Sequence, residues 1–263
     1  MIAAEPDPSG NATDEQESHG STVSVWLRTD RTRARRAPQL TLGRIVDAAV
    51  AVLDEHGTVG LTMRRLAQLL DVTSTALYWH VRTKDDLLDL ALDEVFGAVP
   101  VPEPSEDWRE DLRALVRGWR AAMLRHPWAP ELIGRPMLGP NVLARTEFLQ
   151  SALVRGGYSG RQLAVATRTL ANYVIGAALT EATWRRTANP RLRAAARNHI
   201  TASADTYPTL NASGHMDETR WSDDLLFDEG LDSILTAPGP VAGEPAGAGV
   251  DDEPGQLDTD DPN

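Results

Sequence analysis

The chain has 263 residues, 41% of them apolar, with a net charge of −12 at pH 7. That is enough for one or two modest domains with a packed core, and no apolar run approaches the length of a membrane span. Cysteine is absent, which excludes disulfides, thiolate metal sites and cysteine nucleophiles; with an acidic, polar N-terminus unlike a signal peptide, the expected location is the cytoplasm.

Residues 1–38 read as an N-terminal extension. Its first twenty residues are acidic and rich in Ser, Asn, Gly and Pro, the composition of a disordered segment. From Ser21 to Pro38 an apolar knot (Val23, Val25, Trp26, Leu27) is followed by Arg28, Arg31, Arg33, Arg35 and Arg36. Two readings stay open. The segment is either a solvated linker or a basic arm for a narrow minor groove, where negative potential is strongest.

Residues 39–98 read as the first folded domain. Thr41 to Gly57 predicts a helix: Thr41 caps it, Ile45, Ala49 and Leu53 line one face beside Val46 and Val50, and Gly57 ends it. In the next stretch, LTMRRLAQLLDVTSTALYWHVRTKDDLL (61–88), Thr62 caps a short helix whose apolar face is read as Leu66, Leu69 and Leu70. Asp71-Val72-Thr73 makes a tight turn, and Thr73 or Ser74 caps a second short helix. Val72, Leu77 and Val81 can pack back onto the first. The other face then presents Thr75, Ala76, Tyr78, Trp79 and His80, beside Arg64, Arg65, Arg82 and Lys84. Large aromatics on an outer face need an interface to justify them. Apolar contacts for a thymine methyl, hydrogen-bonding groups for base edges and cations for phosphates are what a helix in a major groove requires. The pattern is that of a three-helix domain built on a helix-turn-helix. Thr83, followed by Asp86, starts a further helix running to about Gly97.

The charge distribution supports this reading. Between Arg28 and Lys84 there are ten basic residues against five acids, whereas from Trp221 to the end there are twelve acids and no Lys or Arg. A phosphate backbone responds to local charge, so a net-acidic chain can still carry a basic reading surface.

Pro100, Pro102 and Pro104 form an extended linker. Residues 105–236 read as a second, helical domain. Helices are predicted over Trp108 to Arg125, Asn141 to Arg155 (stopped by Gly156-Gly157), Ser159 to Arg186 (the longest), Pro190 to Ala204, and Thr219 to Leu235, with a loop from Thr206 to Met216. Residues 237–263 are Pro, Gly, Ala and acids, the composition of a disordered acidic tail. The two long helices, about 161–186 and 219–235, carry more apolar face than one subunit covers, which predicts a homodimer through an intermolecular four-helix bundle.

The stretch LTMRRLAQLL followed by ALYWHVRTKDDLL resembles the DNA-binding domain of the TetR (tetracycline repressor) family, over roughly Thr41 to Leu92. One departure is Asp71, where that turn usually carries Gly; Asp tolerates a left-handed conformation better than most residues. The resemblance implies an all-α, two-domain homodimer, with a C-terminal ligand-binding and dimerisation domain. It implies a repressor released from a palindromic operator by a small amphipathic effector, such as an antibiotic or biosynthetic intermediate, and control of efflux or biosynthesis genes. By the same resemblance, and because Arg can bond a base edge bidentately, Arg64 is a candidate for guanine; the exposed face of the second short helix puts Tyr78, Trp79 and His80, with Ser74 and Thr75, near bases, and Thr62 and Lys84 are read as phosphate contacts. Members of the family that bind tetracycline hold a metal-bound drug with a His near a Gly-Thr-Arg-Pro stretch. The matching stretch here, Leu132-Ile133-Gly134-Arg135-Pro136, has no His, and His126 reads as a helix-end residue. A metal–tetracycline ligand does not carry over.

Candidate effector contacts are Trp119, Met123, Trp128, Met137, Phe148, Asn172, Tyr173, Glu181 and Trp184: aromatics and Met beside proline breaks, with a few polar anchors. Taken singly, each reads first as plain core; it is together that they resemble an adaptable apolar cavity. The six His are scattered, without metal-ligand spacing, and no phosphate-cradling Gly loop appears, so neither an enzyme nor a cofactor or metal is expected. The acid pairs Asp85-Asp86 and Asp223-Asp224 fit helix starts. A rival reading is a small-molecule sequestering protein with a vestigial DNA-binding domain.

Overall fold

The computed structural model describes residues 40–132, 135–186, 190–217 and 219–236. The basic arm from Arg28 to Arg36 and the acidic tail after Thr236 lie outside the described residues. Among those described there are ten α-helices and no strand: α1 (Leu42–Gly60), α2 (Met63–Leu69), α3 (Ser74–Tyr78), α4 (Lys84–Gly97), α5 (Trp108–Arg125), α6 (Pro140–Arg155), α7 (Gly160–Arg186), α8 (Pro190–Ala202), α9 (Pro208–Ser213) and α10 (Asp223–Thr236). The fold is all-α, as the periodicity predicts.

Helices α1 to α4 each begin at a threonine. The hydroxyls of Thr41, Thr62, Thr73 and Thr83 accept from the backbone N–H of Arg44, Arg65, Ala76 and Asp86 at 3.0–3.2 Å. Each satisfies one of the donors a helix start leaves unpaired. The regular run of α1 breaks at Gly57, whose φ of 64° and ψ of −174° suit a residue without a side chain. Asp71 takes φ 52° in the turn between α2 and α3, so the left-handed conformation is kept without glycine. Ile45, Ala49, Leu53, Leu61, Leu66, Leu77 and Val81 close a small core beneath these helices, with Val72 packed against it. One expectation fails. Leu69 is 57% exposed; the inward stripe of α2 is Met63, Leu66, Ala67 and Leu70, and Leu69 falls on the next face round.

Helix α4 is buried along most of its length. Asp86, Leu87, Leu88, Asp89, Ala91, Leu92, Asp93, Val95 and Phe96 are all covered, because α4 packs on α1 on one side and on α5 and α6 on the other. Around it α5 packs against α6 and α7, α6 against α7, and α10 against α7. The apolar interior of this second layer includes Leu112, Leu115, Trp119, Met123, Phe148, Leu149, Leu153, Leu170, Val174 and Phe227.

Two boundaries differ from the sequence reading. The Thr206 to Met216 stretch is not all loop: Pro208 starts α9, a residue suited to a first turn, and Gly214 at φ 69° ends it. Helix α10 starts at Asp223 rather than Thr219, because Asp217 accepts from the backbone N–H and hydroxyl of Thr219 and folds that residue into a turn. Among the described residues no helix is long and apolar enough to cross a membrane.

Candidate nucleic-acid interface

The end of α3 carries the most exposed aromatic pair of the head formed by α1 to α4. Trp79 is 77% exposed and Tyr78 50%, while Leu77 between them and α2 is fully buried. Burial of Leu77 and Val81 therefore fixes the helix, and its geometry sends Tyr78 and Trp79 outward. Ser74 and Thr75 are exposed on the same short helix, and His80 is half-buried just beyond it. Arg64 is exposed on α2. Lys84 donates to the carbonyl of Thr58 at 2.8 Å, and Arg65 to that of Gly60 at 2.9 Å. Both cations brace the turn between α1 and α2, a use the sequence does not announce.

The nine residues singled out for an effector do not form one group. Trp119, Met123 and Phe148 are buried in the apolar core, on α5 and α6, and Met137 packs against that core. Tyr173 stacks on Phe227 at 5.3 Å between centroids, and its hydroxyl donates to the Phe227 carbonyl at 2.8 Å; burial pushes its pKa upward. Glu181 is buried and its carboxylate accepts from Arg120, at 2.7 and 3.0 Å, and from Arg185. Arg120 also donates to Asp224 at 2.7 Å and lies over the Phe227 ring. Burial alone would lower the Arg120 pKa, but the bonds to Asp224 and Glu181 outweigh it and leave the guanidinium above its ordinary value. Tyr173 and Glu181 are thus linked through Phe227 and Arg120. Asn172 is instead exposed on the outer face of α7, in one stripe with Val165, Gly176 and Leu179. Trp128 is buried against the head, and Trp184 is half-buried. Ile133 and Gly134 lie outside the described residues.

Several contacts that the sequence reading does not include hold these parts together. Arg113, Arg117 and Arg120 of α5 pair with Asp232, Asp228 and Asp224 of α10 at 2.6–2.8 Å, and Arg109 donates to the Leu235 carbonyl. Their spacing of three and four on one helix, matched by acids four apart on the other, is a signal charge patterning could have supplied. The segment between α5 and α6 reaches the head side of the molecule at two places. His126 Nδ1 and Trp128 Nε1 both lie on Asp54 Oδ1 of α1, at 2.8 and 2.7 Å. Arg135 donates to Asp89 and Asp85 of α4, at 2.6 and 3.2 Å. His126 is also the capping residue of α5, as its position suggests. Among the described residues no group of three or more His, Asp or Glu is placed to hold a metal ion.

The comparisons with known proteins agree with this layout. Residues 45–91 match the family described as bacterial regulatory proteins, tetR family, and residues 101–236 match the tetracyclin repressor-like C-terminal domain. An HTH-type transcriptional regulator of Saccharopolyspora erythraea is 41% identical over 228 residues, 86% of this chain and 95% of that protein. The crystal structure of ActR, a TetR family protein of Streptomyces coelicolor in complex with actinorhodin, superposes with a TM-score of 0.68 at 32% identity, over 75% of this chain and 95% of ActR. BioQ with its double-stranded DNA operator superposes with a TM-score of 0.51 at 34% identity, over 57% of this chain and 92% of BioQ. With a helix-turn-helix head, a helical second layer and matches across both, the chain belongs to the TetR family of bacterial transcriptional regulators.

Proposed function

We propose that this regulator is a homodimeric repressor that binds a palindromic operator and is released from it by a small amphipathic molecule held in its C-terminal domain. The observation that carries the reading is the outward display of Tyr78 and Trp79 on a helix fixed from behind by Leu77 and Val81. On this reading Ser74, Thr75, Tyr78, Trp79 and His80 lie near bases, Arg64 reads a guanine edge, and Thr62 and Lys84 meet phosphates. Residues 39–98 act as the reading head and residues 105–236 as the effector and dimer domain. The exposed apolar residues Val165 and Leu179 of α7, with Leu225 and Leu226 of α10, supply the dimer face, and Asn172 belongs with that face. BioQ bound to its operator and ActR bound to actinorhodin support the DNA and effector halves of the reading.

The effector contacts proposed are Trp119, Met123, Met137, Phe148 and Trp184, with Tyr173 and Glu181 at the polar end. The protein acts by binding, in the cytoplasm, without a catalytic step. A ligand loosens DNA only if it prefers the non-binding conformer. The test is selection of duplexes from a random pool, followed by gel shift. We expect a palindromic consensus. Trp79→Ala should abolish selection with the thermal midpoint unchanged. Arg64→Ala should cost about 1–3 kcal/mol and relax one base position. A uniform loss across all sequences would make Arg64 a phosphate contact, and a failure of the intact protein to enrich any duplex would refute the reading.

A further inference from the structure

We infer that Asp54 is a positioning residue of the reading head, acting with Trp128 and His126 as a latch that fixes how the head sits on the rest of the molecule. The inference rests on the DNA-binding reading above. Asp54 lies in the last regular turn of α1, on the head, more than seventy residues from its two partners. One oxygen of its carboxylate accepts both bonds, the Trp128 indole N–H at 2.7 Å and His126 Nδ1 at 2.8 Å.

The donor side is rigid. His126 ends α5 with its backbone N–H on the Ala122 carbonyl, and its own carbonyl accepts from Ala129 at 2.8 Å. Trp128 leads into a tight turn at Pro130–Leu132 and meets the His126 ring edge-on at 6.1 Å. The indole is only 2% exposed. An indole N–H can only donate, and when buried it must find an acceptor. Here that acceptor belongs to a different part of the chain. If the head swings by the length of a hydrogen bond, both bonds break together and a buried N–H is left unpaired. The head therefore has one favoured seat, not a continuum. A second hold runs beside it, from Arg135 to Asp85 and Asp89 on α4. The latch differs from α4 in kind: α4 carries the chain from head to core, whereas Asp54 ties α1 to the core with no peptide connection nearby.

In a two-fold dimer the seat of each head sets the distance between them, which must match half-sites about 34–36 Å or a multiple apart. The test uses the absence of cysteine from the chain. A single V59C, at a position 90% exposed on the head, is spin-labelled in the full-length dimer, and the distance between the two labels is measured by pulsed electron paramagnetic resonance without DNA. Operator affinity is measured on the same variants without the label, using a duplex selected by the unaltered protein. The unaltered latch should give one narrow distance. D54A removes the acceptor and replaces it with a better helix former, so α1 is retained; it should broaden or shift the distance by several ångströms and change duplex affinity about tenfold. D54N keeps an acceptor oxygen and should fall between the two. W128F removes one of the two bonds and should move the distance and the affinity in the same direction as D54A, and the D54A/W128F pair should be no worse than D54A alone, which already lacks both bonds. An unchanged narrow distance and unchanged affinity in D54A would overturn the latch, as would a loss that follows the thermal midpoint with the distance unmoved. If the unaltered protein selects no duplex, the DNA-binding reading fails instead, and the two failures are distinct.

Discussion

Single residues in the head do local jobs that can be read without knowing the fold. A threonine hydroxyl reaches a donor three residues on, inside its own turn, so the four caps at Thr41, Thr62, Thr73 and Thr83 are visible in the sequence. The left-handed turn at Asp71 is legible for the same reason. Other single residues are silent in the sequence because their partners are remote. Asp111 reads as one more acid in the first turn of α5, yet it accepts from the Ser105 N–H at 3.0 Å and from Arg155 at 2.6 Å. Burial would raise its pKa, but those bonds outweigh it and hold the carboxyl below its ordinary value. A carboxyl depressed in the folded state stabilises the protein fully above the ordinary carboxylate range near 4 and loses that contribution as pH falls through the folded value. Urea midpoints taken between pH 5 and pH 3 should therefore drop further in the parent protein than in Asp111→Asn. Equal drops would assign the acid sensitivity to other groups.

At the level of helices, two elements finish each other. α6 begins at Gly139-Pro140 with no side-chain cap of its own. Asp93, buried on α4, provides it by accepting from the Val142 and Asn141 N–H groups at 3.0 and 3.3 Å. Gly139 is required there, since a Cβ would lie 2.1 Å from Asp93 Oδ1. In return Arg145 of α6 donates to the carbonyls of Gly97 and Val99, where α4 runs out, and burial lowers the Arg145 pKa. Asp93→Ala should thus cost about 1–3 kcal/mol, because it strands N–H groups at a buried helix start; chemical denaturation reads this directly, and a change below about 0.5 kcal/mol would mean water replaces the carboxylate. None of this could be drawn from periodicity, which marks Asp93 as a polar interruption on an apolar helix. The short α9 also escaped, because six residues are too few to establish a period. The long helices α5, α6 and α7 were legible because their apolar faces repeat over four or more turns.

Across the whole molecule, acid and base are sorted by region: the residues from 28 to 84 are net basic and those from Trp221 onward carry only acids among their ionisable charges. Under the proposed function this sorting lets a chain of net charge −12 approach a polyanion head first. If the arm takes part, deleting residues 1–37 should weaken operator binding and flatten its salt dependence, by about 0.9 in logarithmic slope for each phosphate contact removed. Parallel salt plots for the full-length and shortened proteins would reduce the arm to a tether. The candidate effector site was the least legible part. Trp128, Asn172 and Glu181 all read as effector contacts in the sequence, but one is tied to the head, one faces outward, and one is held by two arginines.

The mutual closure of α4 and α6 has a mechanical consequence. Asp93 sits at the root of α6 and Arg145 grips the tip of α4, so the end of one helix and the start of the other are joined at one corner, and neither can slide along its axis without breaking both joints there. The two helices therefore share any displacement of that corner instead of parting at it.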